Sequence, residues 1–174
     1  SDREAAAGEV LGNELYAIFT GGAYLRPGIQ KRYKKFGIDI SQGYGMTECS
    51  PRICSGKMNT PFPESVGKIV PGCEVRIDDG EICVKSRSVM MGYYKNPEET
   101  AKAFTEDGWL RTGDLGYKNE SGYLFLTGRK KNLIILSNGE NVSPEELENQ
   151  FSGSPRIKEI IVYAKNDRIT AEIY

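Results

Sequence analysis

The chain has 174 residues, 39% of them apolar, with ten tyrosines and six phenylalanines, enough for one ordinary domain or two small ones around a true core. Lysine and arginine number 23 against 24 acidic residues, so no net field recruits a polyanion or an anionic membrane, and nucleic acid is not an expected partner. No apolar run approaches the roughly 18 residues of a transmembrane segment, the opening SDREAAAGEV has neither the basic nor the apolar part of a signal peptide, and the expected location is cytoplasmic.

Residues 1–60 read as the end of an α/β layer. Leu15, Ala17 and Phe19 alternate toward Gly21 and Gly22, which predicts a strand running into a tight loop. In RPGIQKRYKKF, Pro27 suits a first helical turn, Ile29, Tyr33 and Phe36 share one stripe, and Gly37 stops the helix. GIDIS then predicts a strand that delivers the loop GYGMTE at its carboxyl end, the edge where ligands sit in open α/β sheets.

From residue 61 to 129 the texture turns to short apolar runs, and a small β-barrel-like unit is expected. Cys73 to Ile77 and Glu81 to Lys85 form a hairpin through Asp78-Asp79-Gly80. One short helix interrupts it, with Asn96 as N-cap, Pro97 at the first position, and Glu98 and Glu99 at the positive end of the dipole. GYLFLTGR resumes the strand pattern. A last unit, residues 130–174, opens a helix at Ser143-Pro144 with Glu146 completing a capping box, followed by two alternating strands around Lys165 to Asp167. The class is therefore mixed, α/β and β, α+β overall.

The chain has no histidine, which removes the Ser-His and Cys-His pairs and the usual base near neutral pH. Cys49, Cys54, Cys73 and Cys83 lack C-x-x-C spacing and are expected to be reduced and mostly packed inside. Chemistry here must rest on positioning and charge.

Three short patterns permit such chemistry. In GYGMTE the glycines let backbone approach a flat ligand, Tyr44 can lay its ring on a heterocycle, and Thr47 and Glu48 offer oxygens to a phosphate-bound hard cation. Taken alone, the same letters describe a glycine-rich turn with a capping threonine and an exposed acid. In GWLRTGDLG, Asp114 follows an apolar strand, where a carboxylate can accept two hydrogen bonds from a ribose diol or serve as a plain turn acid. Arg129 in GRK could meet sugar hydroxyls or a phosphate oxygen, or belong to a solvated basic hairpin.

With TGGAYL ahead of GYGMTE, GWLRTGDLG after it and GRKKNLIILSNGENVSPEELE last, the chain resembles the acyl-adenylate-forming superfamily of acyl-CoA synthetases, peptide-synthetase adenylation domains and luciferases. The resemblance implies ATP and AMP as ligands, Mg2+ as the cation and CoA as co-substrate. Gly22, Ala23 and Tyr24 would line one face of adenine and Tyr44 the other, with Gly45 beside it. Thr47 would touch the α-phosphate, Glu48 would hold magnesium, and Asp114 and Arg129 would bind the ribose. Lys131 would be the hinge of a mobile lid beginning near residue 130, and Gly139 would border the thiol channel.

The implied reaction is carboxylate attack on the α-phosphate of ATP, then displacement of AMP by a thiol. The hinge spelling is most like that of long-chain fatty acyl-CoA ligases, which implies a fatty acid as substrate and leaves room for a peripheral membrane contact of the parent protein. An amino or aryl acid loaded onto a carrier protein is the nearest alternative, and a non-catalytic nucleotide-binding or scaffold remnant a further one. Two positions depart from the common pattern: Tyr24 stands where proline is usual, and Ile135 where many members carry lysine. Neither the phosphate loop nor the catalytic lysine of the lid is expected within these residues, so the 174-residue piece is expected to be inactive by itself.

Overall fold

The computed structural model describes residues 8–174 except 13, 24, 26, 27, 152, 153 and 155. Tyr24 and Pro27 therefore lie outside the described residues. Eight strands, β1 (Ala17–Thr20), β2 (Asp39–Gly45), β3 (Arg52–Ser55), β4 (Gly67–Ile69), β5 (Cys73–Asp78), β6 (Glu81–Ser86), β7 (Leu110–Lys118) and β8 (Tyr123–Arg129), form one open mixed sheet in the order β1-β2-β3-β4-β8-β7-β6-β5. Strands from both sides of residue 60 share it, and β1 and β5 are its edges, so the expected barrel-like unit is not closed among the described residues. The mixed α/β class itself stands. No helix among the described residues is long and apolar enough to cross a membrane.

β1 (Ala17–Thr20) and β2 (Asp39–Gly45) pair in parallel across the connecting helix α1 (Ile29–Lys34). Ile29, Tyr33 and Phe36 are half-buried as one stripe, and Gly37 terminates the helix at φ 76°. β2 runs further than its β-branched start suggests. Tyr44 and Gly45 are its last residues rather than part of a loop, because β3 (Arg52–Ser55) pairs antiparallel with Gly43 to Gly45. The register slips between Tyr44 and Gly45, and a single 3-10 turn, Thr47–Cys49, connects onward to β3.

β4 (Gly67–Ile69) joins β3 to the antiparallel unit of β5 (Cys73–Asp78), β6 (Glu81–Ser86), β7 (Leu110–Lys118) and β8 (Tyr123–Arg129). The β5–β6 turn has both Asp79 and Gly80 at positive φ, 48° and 77°, which matches the primed turn that the Asp-Gly step favours. Helix α2 (Pro97–Ala103) starts as its letters require, with Asn96 Oδ1 accepting from the Glu99 N–H at 3.2 Å. Ile53, Ile82, Val84, Leu110 and Leu124 make the center of the core, and Tyr44, Cys49 and Cys54 are buried against them.

The C-terminal part holds a two-residue pair, β9 (Ile134–Ile135) with β10 (Asn141–Val142), then helix α3 (Pro144–Phe151) and the hairpin of β11 (Ile160–Lys165) and β12 (Arg168–Ile173). Ser143 begins α3 in two directions: its Oγ accepts from the Glu146 N–H at 3.4 Å and donates to the Thr127 carbonyl at 2.9 Å. That second bond seats the helix start on β8. A Cβ at Gly128 would strike the Ser143 side chain, so only glycine lets the two elements approach this closely.

All four cysteines are free, and Cys49, Cys54 and Cys83 are buried. Burial pushes the Cys49 and Cys83 thiols up to about 11 and the Cys54 thiol to about 12. Little thiolate exists there at neutral pH, and reagent has no path to it. Alkylation of the native protein with iodoacetamide at pH 7.5 is expected to mark Cys73, the partly exposed one, at least tenfold faster than the other three. Mass spectrometry of the tryptic peptides reads this directly; equal labelling of Cys54 would show that the sheet around Tyr44 opens.

Candidate functional site

The bulge at the end of β2 aims Tyr44 across the sheet rather than along it. Its hydroxyl donates to Asp114 Oδ2 at 2.7 Å, over a sequence separation of 70 residues. Burial, and then the negative charge of Asp114, raise the Tyr44 phenol far above its ordinary value, so it remains a protonated donor at any physiological pH. Asp114 is held there by register: it lies directly opposite Arg129 on the neighbouring strand β8, and the two form an ion pair with Arg129 Nε 2.9 Å from Asp114 Oδ1. The Asp114 N–H in turn donates to Thr112 Oγ1 at 3.1 Å, and that hydroxyl donates to the Ile82 carbonyl at 2.8 Å.

A carboxylate has about four lone-pair sites. Tyr44 uses one on Oδ2 and Arg129 lies against Oδ1 as an ion pair, which leaves acceptor sites on both oxygens for a further pair of donors. Two vicinal hydroxyls can supply such a pair. Asp114 is 7% exposed while the Arg129 side chain is 56% exposed, so the acid is sequestered and the guanidinium, though held through Nε, keeps an exposed face for a ligand.

These residues line a cleft of about 270 Å³ together with Gly22, Ala23 and Gly45. Its opposite wall comes from the C-terminal part, where Asn132, Glu145 and Asn149 face it. Asn132 Nδ2 donates to Glu145 Oε1 at 2.5 Å, which fixes the start of α3 at the rim. The Tyr44 ring is only 8% exposed, so what it offers a ligand is limited surface in a preformed position rather than a mobile flap. Tyr24, expected beside Ala23, falls outside the described residues.

A second, wider cleft of about 1210 Å³ adjoins the first and shares Gly22, Gly45 and Arg129 with it. Thr47, Glu48 and Lys131 line this one, with Lys102, Arg111 and Lys130 nearby on its wall. Glu48 Oε1 accepts from the Tyr93 hydroxyl at 2.9 Å, and the Glu48 carbonyl accepts from the Met90 N–H at 2.7 Å, so the acid is oriented by the segment ahead of α2. No cluster of three or more metal-ligating side chains exists among the described residues. A lone carboxylate suits a cation such as Mg2+, which keeps waters and takes most of its ligands from substrate phosphates.

The expected residues thus divide between two joined clefts. Gly22, Ala23, Tyr44, Gly45, Asp114 and Arg129 share the narrow one, and Thr47, Glu48 and Lys131 the wide one. Gly139 is not brought to either. It sits in the turn between β9 and β10, at φ 82°, with its N–H donating to the Leu136 carbonyl at 2.8 Å. Its placement follows from local turn geometry, since a positive φ in a tight connection is what a glycine there serves.

Sequence reasoning overlooked Glu81. It appears in the chain only as the first residue of an apolar strand, yet it is 3% exposed at the wall of the wide cleft. The signal available was the run EICV, in which every residue is buried: an acid at the head of such a run needs a cationic partner. Glu145 and Asn149 were overlooked too, because helical letters do not say which surface the helix start will meet.

A family profile described as AMP-binding enzyme matches residues 1–94. A long-chain-fatty-acid–CoA ligase of Mycobacterium bovis is 42% identical over 153 residues, covering 87% of this chain and 25% of that protein. A 2-succinylbenzoate–CoA ligase of Bacillus cytotoxicus is 35% identical, covering 95% of this chain and 37% of that one. The crystal structure of ATP-bound MatB from Rhodopseudomonas palustris superposes with a TM-score of 0.81 at 31% identity, over 89% of this chain and 34% of the other. The chain therefore spans 25% to 37% of the length of these proteins.

Proposed function

We propose, from the premise that this chain belongs to the AMP-binding enzyme family, that the full-length protein joins a fatty acid to CoA through an acyl-adenylate. The observation that carries this reading is the convergence of Tyr44, Asp114 and Arg129 with Gly22 and Ala23 on one cleft, with Tyr44 and Asp114 70 residues apart in the chain. The acceptor sites left on both oxygens of Asp114 suit a ribose diol, the glycine backbone and Tyr44 suit a purine, and the wide cleft suits phosphates and the acyl acceptor.

In this reading a substrate carboxylate oxygen forms a bond to the α-phosphorus of ATP while the bond to the bridging oxygen breaks, releasing pyrophosphate. A thiol then attacks the acyl carbon, AMP leaves with the electron pair, and the thiol proton passes to solvent. Neither step requires a histidine. Thr47 would donate to an α-phosphate oxygen, and Glu48 would hold Mg2+. The cation, when bound, neutralises phosphate charge. Of the cations along the same wall, Lys102 is paired with Glu99, and Arg111 and Lys130 with Glu81. Residues 1–60, 61–129 and 130–174 would be, in turn, the end of a large domain, a β-rich subdomain, and the start of a lid hinged at Lys131.

The fatty acyl branch is supported by the similarity to the Mycobacterium bovis enzyme, and the aryl branch by the Bacillus cytotoxicus one. Acid-dependent exchange of labelled pyrophosphate into ATP separates them. The full-length protein is expected to exchange with a fatty acid and then to form acyl-CoA. Exchange only with an aryl or amino acid would move it to the other branch; no exchange with any acid would leave nucleotide binding alone. Within this scheme Glu48→Gln is expected to lower kcat by about 10²–10³-fold and to raise the Mg2+ concentration needed for half-maximal rate, with little change in the affinity for AMP. A Mg2+ requirement that is unaltered in Glu48→Gln would remove Glu48 from the metal role.

A further inference from the structure

Glu81 is a buried carboxylate that the scheme above leaves without a part. Its Oε2 accepts from Lys130 Nζ at 2.8 Å and from an Arg111 guanidinium nitrogen at 3.3 Å, and its Oε1 accepts from the Gly113 N–H at 3.2 Å. Gly113 immediately precedes Asp114, and Lys130 immediately follows Arg129. One acid therefore grips the neighbours of both members of the Asp114–Arg129 pair.

The pattern on β8 and just beyond it is equally specific. Arg129 is tied to the buried Asp114 of β7, Lys130 is tied to the buried Glu81 of β6, and the next residue, Lys131, has no side-chain hydrogen bond or ion pair among the described residues. Two consecutive cations are pinned to the sheet by two buried acids. The chain is first released from that hold at Lys131. A swivel needs such a boundary, since rotation about one residue moves a domain cleanly only when the residue before it stays fixed.

We infer that Glu81 is the anchor on the stationary side of the hinge, a positioning residue that acts through Lys130 and the Gly113 N–H. It keeps the ribose clasp in register while everything after residue 130 changes pose. The inference rests on the proposed two-step reaction, because only a lid that moves between steps needs a fixed pivot. Its consequence is asymmetric. Weakening the anchor displaces Arg129 slightly in the first step but misplaces the whole lid in the second.

The test uses the full-length protein and three variants. Lys130→Met keeps the aliphatic stem and drops the charge, on a side chain half exposed and so tolerant of change; Lys130→Arg keeps charge and reach; Glu81→Gln keeps the acceptor and drops the charge. Pyrophosphate exchange reads the first step, and transfer to CoA from preformed acyl-adenylate reads the second. For Lys130→Met and Glu81→Gln, KM for ATP is expected to rise roughly three- to fivefold and the rate of the second step to fall roughly 10- to 100-fold, as small misplacements at a reacting center do. Lys130→Arg is expected to restore both rates.

Equal losses in the two steps, or a lowered melting temperature with their ratio unchanged, would mean that Glu81 is merely structural, and so would a failure of Lys130→Arg to rescue. If the unmutated protein exchanges no pyrophosphate with any acid, the reading of the function fails first and the anchor falls with it. If it exchanges normally and the ratio of steps is constant across the variants, only the anchor is lost.

Discussion

Gly45→Ala is expected to abolish useful nucleotide binding, lowering affinity for ATP by roughly 100-fold, because a small displacement of a positioning segment is enough to cost that much. A Cβ on Gly45 would overlap the carbonyl of Pro51 and crowd Arg52, both of them backbone. Neither neighbour can rotate away as a side chain would. The strand must separate from β3, and the register slip between Tyr44 and Gly45 is where it would do so. Overpacking of this kind costs about 1–3 kcal/mol, and contact with backbone puts this case near the top of that range.

The displaced segment carries Tyr44 on one side and Thr47 and Glu48 on the other, so both clefts lose their shape together. Titration calorimetry with AMP and with ATP measures the effect. A comparable loss for both ligands is expected, since the damage includes the narrow cleft. Wild-type affinity in Gly45→Ala would show that β2 and β3 are loosely apposed at this point and that the bulge has no part in holding Tyr44.

Asp114→Ala is expected to be the second large lesion, with two separable components. The first concerns stability. Removal of the carboxylate leaves the Tyr44 hydroxyl in a buried position without its acceptor, at a cost of about 1–3 kcal/mol. The lost ion pair with Arg129 adds little, because that side chain is more than half exposed and water takes over. The second concerns the ligand. Two hydrogen bonds from a sugar diol to a carboxylate, at about 1.5–3 kcal/mol each, correspond to a rise in KM for ATP of roughly 10²–10⁴-fold.

A comparison with 2′-deoxy-ATP isolates the second component from the first. The unmutated protein is expected to discriminate against the deoxy nucleotide by about tenfold or more, and Asp114→Ala to discriminate hardly at all, as coupled partners in a double-mutant cycle should. Asp114→Asn retains an acceptor for Tyr44 and should recover much of the stability while remaining poor in ATP binding. Undiminished discrimination in Asp114→Ala would place the sugar elsewhere and overturn the assignment of this acid.

Much of the local architecture was legible in the letters because its causes are local. The Asn96-Pro97 and Ser143-Pro144 starts, the Asp79-Gly80 turn and the Gly37 stop each follow from the capping or backbone preferences of a few adjacent residues, and each is where the chain led one to expect it. The grouping of Gly22, Tyr44, Asp114 and Arg129 was expected only from the resemblance of TGGAYL, GYGMTE, GWLRTGDLG and GRK, in that order, to one family, since each pattern alone also describes an ordinary turn or hairpin. The end of β2 was misjudged because Gly-Tyr-Gly reads as a loop, and only the presence of β3 alongside makes it a strand.

What the residues determined unaided is which groups could take part: the acid, the phenol, the guanidinium and the bare backbone, and the helices and turns that carry them. Only the tertiary structure decided who meets whom. That the Tyr44 hydroxyl bonds Asp114, that Glu81 is buried against Lys130 while Lys131 has no side-chain partner among the described residues, and that Gly139 lies apart from both clefts are outcomes of strand order and register. Pairing between strands far apart in the chain sets those meetings, and a one-residue shift of its strand would send Tyr44, Glu81 or Asp114 to the other face.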